Sequence, residues 1–306
     1  MKKMVNVVKL EGKLYESSLE IKVSKKGVEY IGGKIELATD DDNLNIVSID
    51  YPYVAKRYSN GKENKNYSVL NSIIENGKSI VGNPDEEPTL LRIDSNIDLN
   101  EWYKNENGED VLVSTRRVAG GFTHIIKKLS NESVRRNRFE CDMVITNSIY
   151  VEADEEANIP EDKMVIKGCV FNYKNDLLPI EFTVLNQGGI DYFDSLDISP
   201  NAPIFTKVWG EIINKTITTS ITEESAFGEP VVKEVKKNKK DWILTGTMAS
   251  PYEFDDEGTI LASELKECMS NRQITLATKL QEQKEREAEK RKQNNGFSTK
   301  SGNFSF

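Results

Sequence analysis

The sequence predicts an all-β-dominated chain: two tandem five-stranded barrels, then a C-terminal helix and a flexible tail. Three observations carry this. Residues 90–124 alternate apolar and polar side chains on either side of Asn107-Gly108, the pattern of one long β-hairpin. Three strand-like stretches and a short helical one precede that hairpin. The same order then returns, with Val208 aligned on Ile93 and Ile212 on Ile97, about 115 residues on (208 − 93), a spacing suited to duplicated domains rather than a solenoid.

Taken in order, residues 5–23 read as a strand bent at Gly12 with a short return, since glycine inside a strand marks a bulge or barrel corner. A turn at Lys25-Lys26-Gly27 leads to a strand over 28–39 and another over 44–53, where Val47, Ile49, Tyr51 and Tyr53 share one parity and Pro52 marks an edge or an end. Residues 65–75 fit a short helix, with Tyr67, Leu70, Ile73 and Ile74 at helical spacing and Gly77 beyond. In the hairpin, Leu91, Ile93, Ile97 and Leu99 form the buried parity, and Val111, Val113 and Thr115 resume the alternation before Arg116-Arg117. Strands over 139–150, 163–172 and 178–185, a helix near 189–196, a strand over 204–218 and a return through 231–246 repeat the pattern. The boundaries expected are 1–129, a polar linker at 130–138, a second barrel at 139–253, and a helix and tail at 254–306. Leu261, Leu265, Met269, Leu276 and Leu280 give the helix an apolar side at its start; beyond Gln281 it is charged and expected to project into solvent.

Strand, strand, strand, short helix, long hairpin is the order of an OB-fold. Gly12-Lys13 in the first strand, Trp102-Tyr103, Asn107-Gly108 and Val111 to Val113 make residues 5–129 resemble the bacterial and phage single-stranded-DNA-binding proteins. The Ser225-Ala226-Phe227-Gly228 run before Pro230 is similar to two-barrel phage proteins of Gram-positive hosts. The resemblance implies sequence-tolerant coating of single-stranded DNA in phage replication and recombination, in the host cytoplasm. It also implies docking of replication proteins through a tail ending in phenylalanine. Phe306 matches, but the acidic residues that should precede it are absent.

The net charge of −9 argues against a nucleic-acid partner, yet acidic clusters such as Asp40-Asp41-Asp42 and basic pairs lie apart, and contacts are screened beyond roughly 10 Å. The N-terminus lacks the apolar core of a signal peptide and no stretch reaches bilayer length, so a cytoplasmic chain without membrane contact is expected. Three cysteines without CxxC spacing and a single histidine exclude a zinc ribbon and a multi-histidine metal site. No phosphate-loop motif or catalytic constellation stands out, so neither a cofactor nor an enzymatic activity is expected.

Two classes remain. In the first, the barrels bind single-stranded DNA, with Trp102, Tyr103, Tyr51, Tyr53 and Trp209 as stacking surfaces and Lys56, Arg57, Arg116, Arg117 and Lys207 as phosphate partners. Trp102 falls on the wet parity with Arg92, as Trp209 does with Lys207; Trp102 could equally plug a barrel mouth, and Tyr51 and Trp209 could equally be core residues. In the second class the barrels are structural or assembly modules, and the C-terminal helix binds a protein.

Overall fold

The computed structural model describes residues 3–154, 159–223, 231–254 and 260–297. The Ser225 to Pro230 run and Phe306 lie outside the described residues. The first half contains β1 (Asn6–Ser17), β2 (Glu20–Val23), β3 (Glu29–Ala38), β4 (Ile46–Ala55), α1 (Lys65–Asn76), β5 (Leu90–Glu106) and β6 (Glu109–Ile125). Five of these strands close a ring in the order β1-β3-β4-β6-β5 and back to β1. The closure between β4 and β6 is parallel, Ile49 against Val118, and the other pairings are antiparallel. Val8 and Leu10 of β1, Ile35 and Leu37 of β3, Val47 and Ile49 of β4, and Leu91, Ile93, Ile97 and Leu99 of β5 fill the ring, each set sharing one strand parity. The side chain of Asn64 caps α1 by accepting from the Asn66 backbone, and Tyr67, Leu70 and Ile73 lie buried against the barrel.

After a short helix, α2 (Ser133–Arg136), the pattern repeats as β7 (Asn137–Val151), β8 (Lys163–Phe171), β9 (Leu177–Val184), α3 (Gln187–Asp194), β10 (Ile204–Glu223) and β11 (Val231–Thr247). This ring closes as β7-β8-β9-β11-β10, again with its parallel pairing before the final hairpin strand, Thr183 against Ile243. The likeness extends to single polar groups. Asn186 caps α3 as Asn64 caps α1. The carboxamide of Asn6 accepts from Ile97 N and donates to Ile97 O, and that of Asn137 does the same to Ile212. Ile97 and Ile212 are the pair aligned from the sequence.

The expected linker is not a separator. The strands form one 11-stranded sheet, because β1 pairs with β7 in the register Val8 opposite Phe139. β3 pairs with β1 only from Lys13 onward, so the opening residues of β1 would otherwise present an unsatisfied edge on that side. One continuous core cluster runs from Val8 and Leu10 to Phe139 and Phe182. Within the stretch 130–138, Arg136 is buried with its guanidinium 2.7 Å from the Asp41 carboxylate, and Asn137 is buried on Ile212. Asp40 meanwhile pairs with Lys215 at 3.0 Å, so that acidic loop is built into the join between the halves.

The last element, α4 (Ala262–Phe297), does not take the course expected of it. Leu265 and Cys268 pack on a second cluster with Cys169, Phe171 and Phe205, while Leu261 and Met269 face outward. Beyond them the helix lies along the first hairpin rather than leaving it. Arg272 and Lys279 bind Glu101, Gln283 brackets the Tyr103 peptide, and Lys284 pairs with Asp110 at 2.8 Å. The contacts are polar, so no apolar stripe announced them. Among the described residues no helix is long and apolar enough to cross a membrane.

Candidate nucleic-acid interface

The first hairpin turns at Asn107 and Gly108, both at positive φ (54° and 91°), the conformation of a two-residue turn whose twist suits the flanking strands. Its arms outrun the ring, so their inner and outer faces meet different surroundings. The inner face carries Glu101, whose side chain is 3% exposed, and Tyr103, both under α4. The outer face carries Asn100, Trp102, Val113, Thr115 and Arg117 in adjacent register, Trp102 opposite Val113 and Arg117 opposite Asp98. Trp102 is 41% exposed, as its wet parity predicts, and is therefore not a buried plug.

Continuing around the ring, the outer faces of β4 and β3 place Asp50 opposite Lys34 and Ser48 opposite Glu36. The arms of the second hairpin bring Asn214 and Lys240 to the same place, enclosing a groove of about 400 Å³ that Lys34, Thr115 and Arg117 also line. Past Asp50, the residues Pro52 and Tyr53 together oppose Gly32, which forms a bulge in β4. Proline donates no hydrogen bond, so the ladder loses nothing there. The bulge resets the parity: Tyr53 turns outward and lies against Tyr30, ring centroids 4.5 Å apart. Counting strand rises from Trp102 to this aromatic pair gives a span of roughly 25–30 Å.

The structure separates the residues singled out in the sequence. Tyr51 is fully buried and exchanges a 2.6 Å hydrogen bond with Thr123; burial pushes its phenol up to about 12. It is a core residue and offers no stacking face. Gly120 makes room for it, since a Cβ there would lie 2.5 Å from the Tyr51 ring; one on Gly121 would instead run into the Asp94 carbonyl of β5. Tyr103 is half-covered by α4, its hydroxyl donating to Leu276 O. Arg116 turns away from its neighbour into the other ring, donating to Glu181 O, 3.7 Å from Asp241 and 5.9 Å over Trp242. Burial lowers its pKa, against the pull of Asp241 and Glu181. Lys56 pairs with Glu29 at 2.9 Å beside Tyr67, and Arg57 reaches Gly61 O. Trp209 and Lys207 stand on β10 by the β1–β7 join, outside the groove, with Arg138 5.8 Å over the Trp209 ring and Glu140 3.5 Å from Lys207.

Every cation singled out from the sequence thus stands within 4.0 Å of a carboxylate: Lys56 by Glu29, Arg57 by Glu63, Arg116 by Asp241, Arg117 by Asp98, Lys207 by Glu140. The Lys56 and Arg57 pairs are exposed and worth about 0–1 kcal/mol each, so a phosphate exchanges with those carboxylates at small cost; the pairs of Arg116, Arg117 and Lys207 are partly buried. Lys240 has no carboxylate partner among the described residues. Sequence reasoning misses Lys34, Lys240 and Tyr30. Lys34 is legible from its outward parity on β3, whereas Lys240 belongs to a groove made by two hairpins from different halves.

A family model described as YorF matches residues 4–294. No curated protein matches the chain. Among solved structures, the single-stranded DNA binding protein from Thermus aquaticus aligns at 10% identity and a TM-score of 0.46, covering 82% of this chain and 97% of that one. A deletion mutant of that protein aligns at 11% and 0.47, covering 84% and 100%. The ring architecture described above rests on its own strand pairings.

Proposed function

The chain belongs to the YorF family, and we propose that it is a sequence-tolerant single-stranded-DNA-binding protein, without catalytic activity of its own. The observation that carries this reading is the outer face of the first ring. Trp102 stands at one end, the Tyr30–Tyr53 pair at the other, and Lys34, Arg117 and Lys240 between them around an open groove. The outer face of the second and third ring strands, here β3 and β4, is where OB-folds take oligonucleotides, with the tip of the last hairpin closing over them. Stacking platforms with interleaved cations accept any base, because every base has a π-face. Coating unpaired strands in phage replication and recombination is the setting that the sequence resemblance implies. The alternative reading needs a helix free for a protein partner; through Lys284 that helix is engaged with the first hairpin.

Titrating the protein with oligo-dT at two salt concentrations, following tryptophan fluorescence, tests the reading. Quenching with micromolar or tighter affinity at low salt is expected. The salt slope should be shallow, because the cations exchange one anion for another. Neither quenching nor a mobility shift at low salt would overturn it.

A further inference from the structure

The β1–β7 join has an outer face as well as a core face, and that face is a second concave surface. Opposite residues run across four strands in one row: Phe122 on β6, Asp94 on β5, Lys9 on β1 and Arg138 on β7. One row along, Glu140 of β7 stands opposite Trp209 on the fifth strand, β10. At about 4.8 Å per strand the aromatic ends are roughly 20 Å apart. Between them lies a cavity of about 450 Å³, lined by Lys9, Arg92, Arg135 and Arg138, which shares no residue with the groove of the first ring.

We propose that this face is a second binding surface for single-stranded nucleic acid, with a base on Phe122 and the backbone crossing Lys9, Arg92 and Arg138. The proposal rests on the nucleic-acid reading above and adds a site to it. Two features point to an anionic, base-bearing ligand. Phe122 is 64% exposed at the head of the row, beside the Gly120-Gly121 bulge of β6, and stands opposite Asp94 at the wall of the cationic cavity rather than in the core. The carboxylates of the cavity are already engaged: Glu11 accepts from Ser130 N, Asp94 lies within 3.8 Å of Arg92 and His124, and Glu140 sits between Arg138 and Lys207. Lys9 has no carboxylate partner among the described residues. Trp209 is half-buried, its ring against Gly246 with Arg138 5.8 Å over it, so it holds that guanidinium beside the cavity rather than offering a stacking face.

The test compares three variants of the full chain by fluorescence anisotropy with labelled oligo-dT. Phe122→Ala removes an exposed ring and should weaken binding about tenfold, as removal of one stacking surface does, with the melting temperature unchanged. Lys9→Gln with Arg92→Gln should flatten the salt slope by about 0.7, the share of Lys9, because Arg92 already faces Asp94 and exchanges one anion for another. Trp102→Ala, in the first groove, is the control. If both join variants bind within twofold of the unmodified chain while Trp102→Ala weakens binding, the second site is overturned and the first stands. If the unmodified chain binds no oligonucleotide, both fall. Should Phe122→Ala fail to fold, the glutamine pair decides alone, because its side chains are exposed and support no part of the core.

Discussion

At the scale of single residues, Trp102 and Tyr51 show how one strand position separates a ligand surface from a core group. Trp102→Ala should weaken oligo-dT binding by about 1–3 kcal/mol without altering the salt slope, because indole neutralises no phosphate. Lys240→Gln should flatten that slope by about 0.7, because Lys240 has no carboxylate to give up among the described residues, and titrations at several salt concentrations distinguish the two. Tyr51→Phe should leave binding untouched but cost about 1–3 kcal/mol of stability, since the buried Thr123 hydroxyl keeps no partner for its bond to the phenol. The pH dependence follows from the same burial. Below pH 10 Tyr51 is neutral folded or unfolded; above it the unfolded phenol ionises, while the folded one holds its proton to about 12. Its contribution is therefore intact below pH 10 and lost between about pH 10 and 12, by roughly 2–3 kcal/mol. Urea midpoints measured across that range should fall, and fall less in the Tyr51→Phe variant. Parity counting places Trp102 correctly, because β5 runs regularly to its tip. It puts Tyr53 on the parity of Tyr51, because the Pro52 bulge shifts the phase and alternation cannot register an extra residue.

At the scale of elements, strands and helices are legible nearly to their ends, while the docking of α4 is not. The apolar-periodicity argument looks for leucines, and the line that faces the hairpin reads Arg272, Leu276, Lys279 and Gln283. Glu101 is the anchor of that line. Burial pushes its carboxyl up, but hydrogen bonding to Arg272 and the charges of Arg272 and Lys279 outweigh it, so the pKa lies below the ordinary value. The stabilisation is therefore present above the ordinary carboxylate range and is lost as pH falls through the lowered value. Glu101→Gln should loosen the helix by about 1–3 kcal/mol, read as faster amide exchange over 272–284 at neutral pH, with exchange elsewhere unchanged. Truncation after Lys284 should leave the melting temperature unaltered. Removing 281–306 also deletes the partners of Tyr103 and Asp110 and should lower it by a few degrees. If the two truncations melt alike, the polar docking adds nothing.

At the scale of the whole molecule, the two rings are chemically interleaved. Arg116 of the first hairpin reaches Glu181 and Asp241 in the second ring, and Asn214 of the second hairpin donates to Ile46 O in the first. A duplicated order of elements is visible in the sequence; the shared sheet is not, because the residues that join the halves, Arg136 and Asn137, are polar and resemble a linker. Calorimetry should show one transition whose van't Hoff and calorimetric enthalpies agree. Two resolved transitions would mean that residues 1–129 and 139–253 unfold independently. The β1–β7 pairing also has a consequence for synthesis. β1 leaves the ribosome about 130 residues before the strand that covers its edge, and at ordinary elongation rates that interval is on the order of ten seconds. During it the nascent first half carries an open strand edge, able to recruit the same strand of a neighbouring chain on a polysome. Slowed translation downstream of Ile125 should then raise aggregation at an unchanged equilibrium stability.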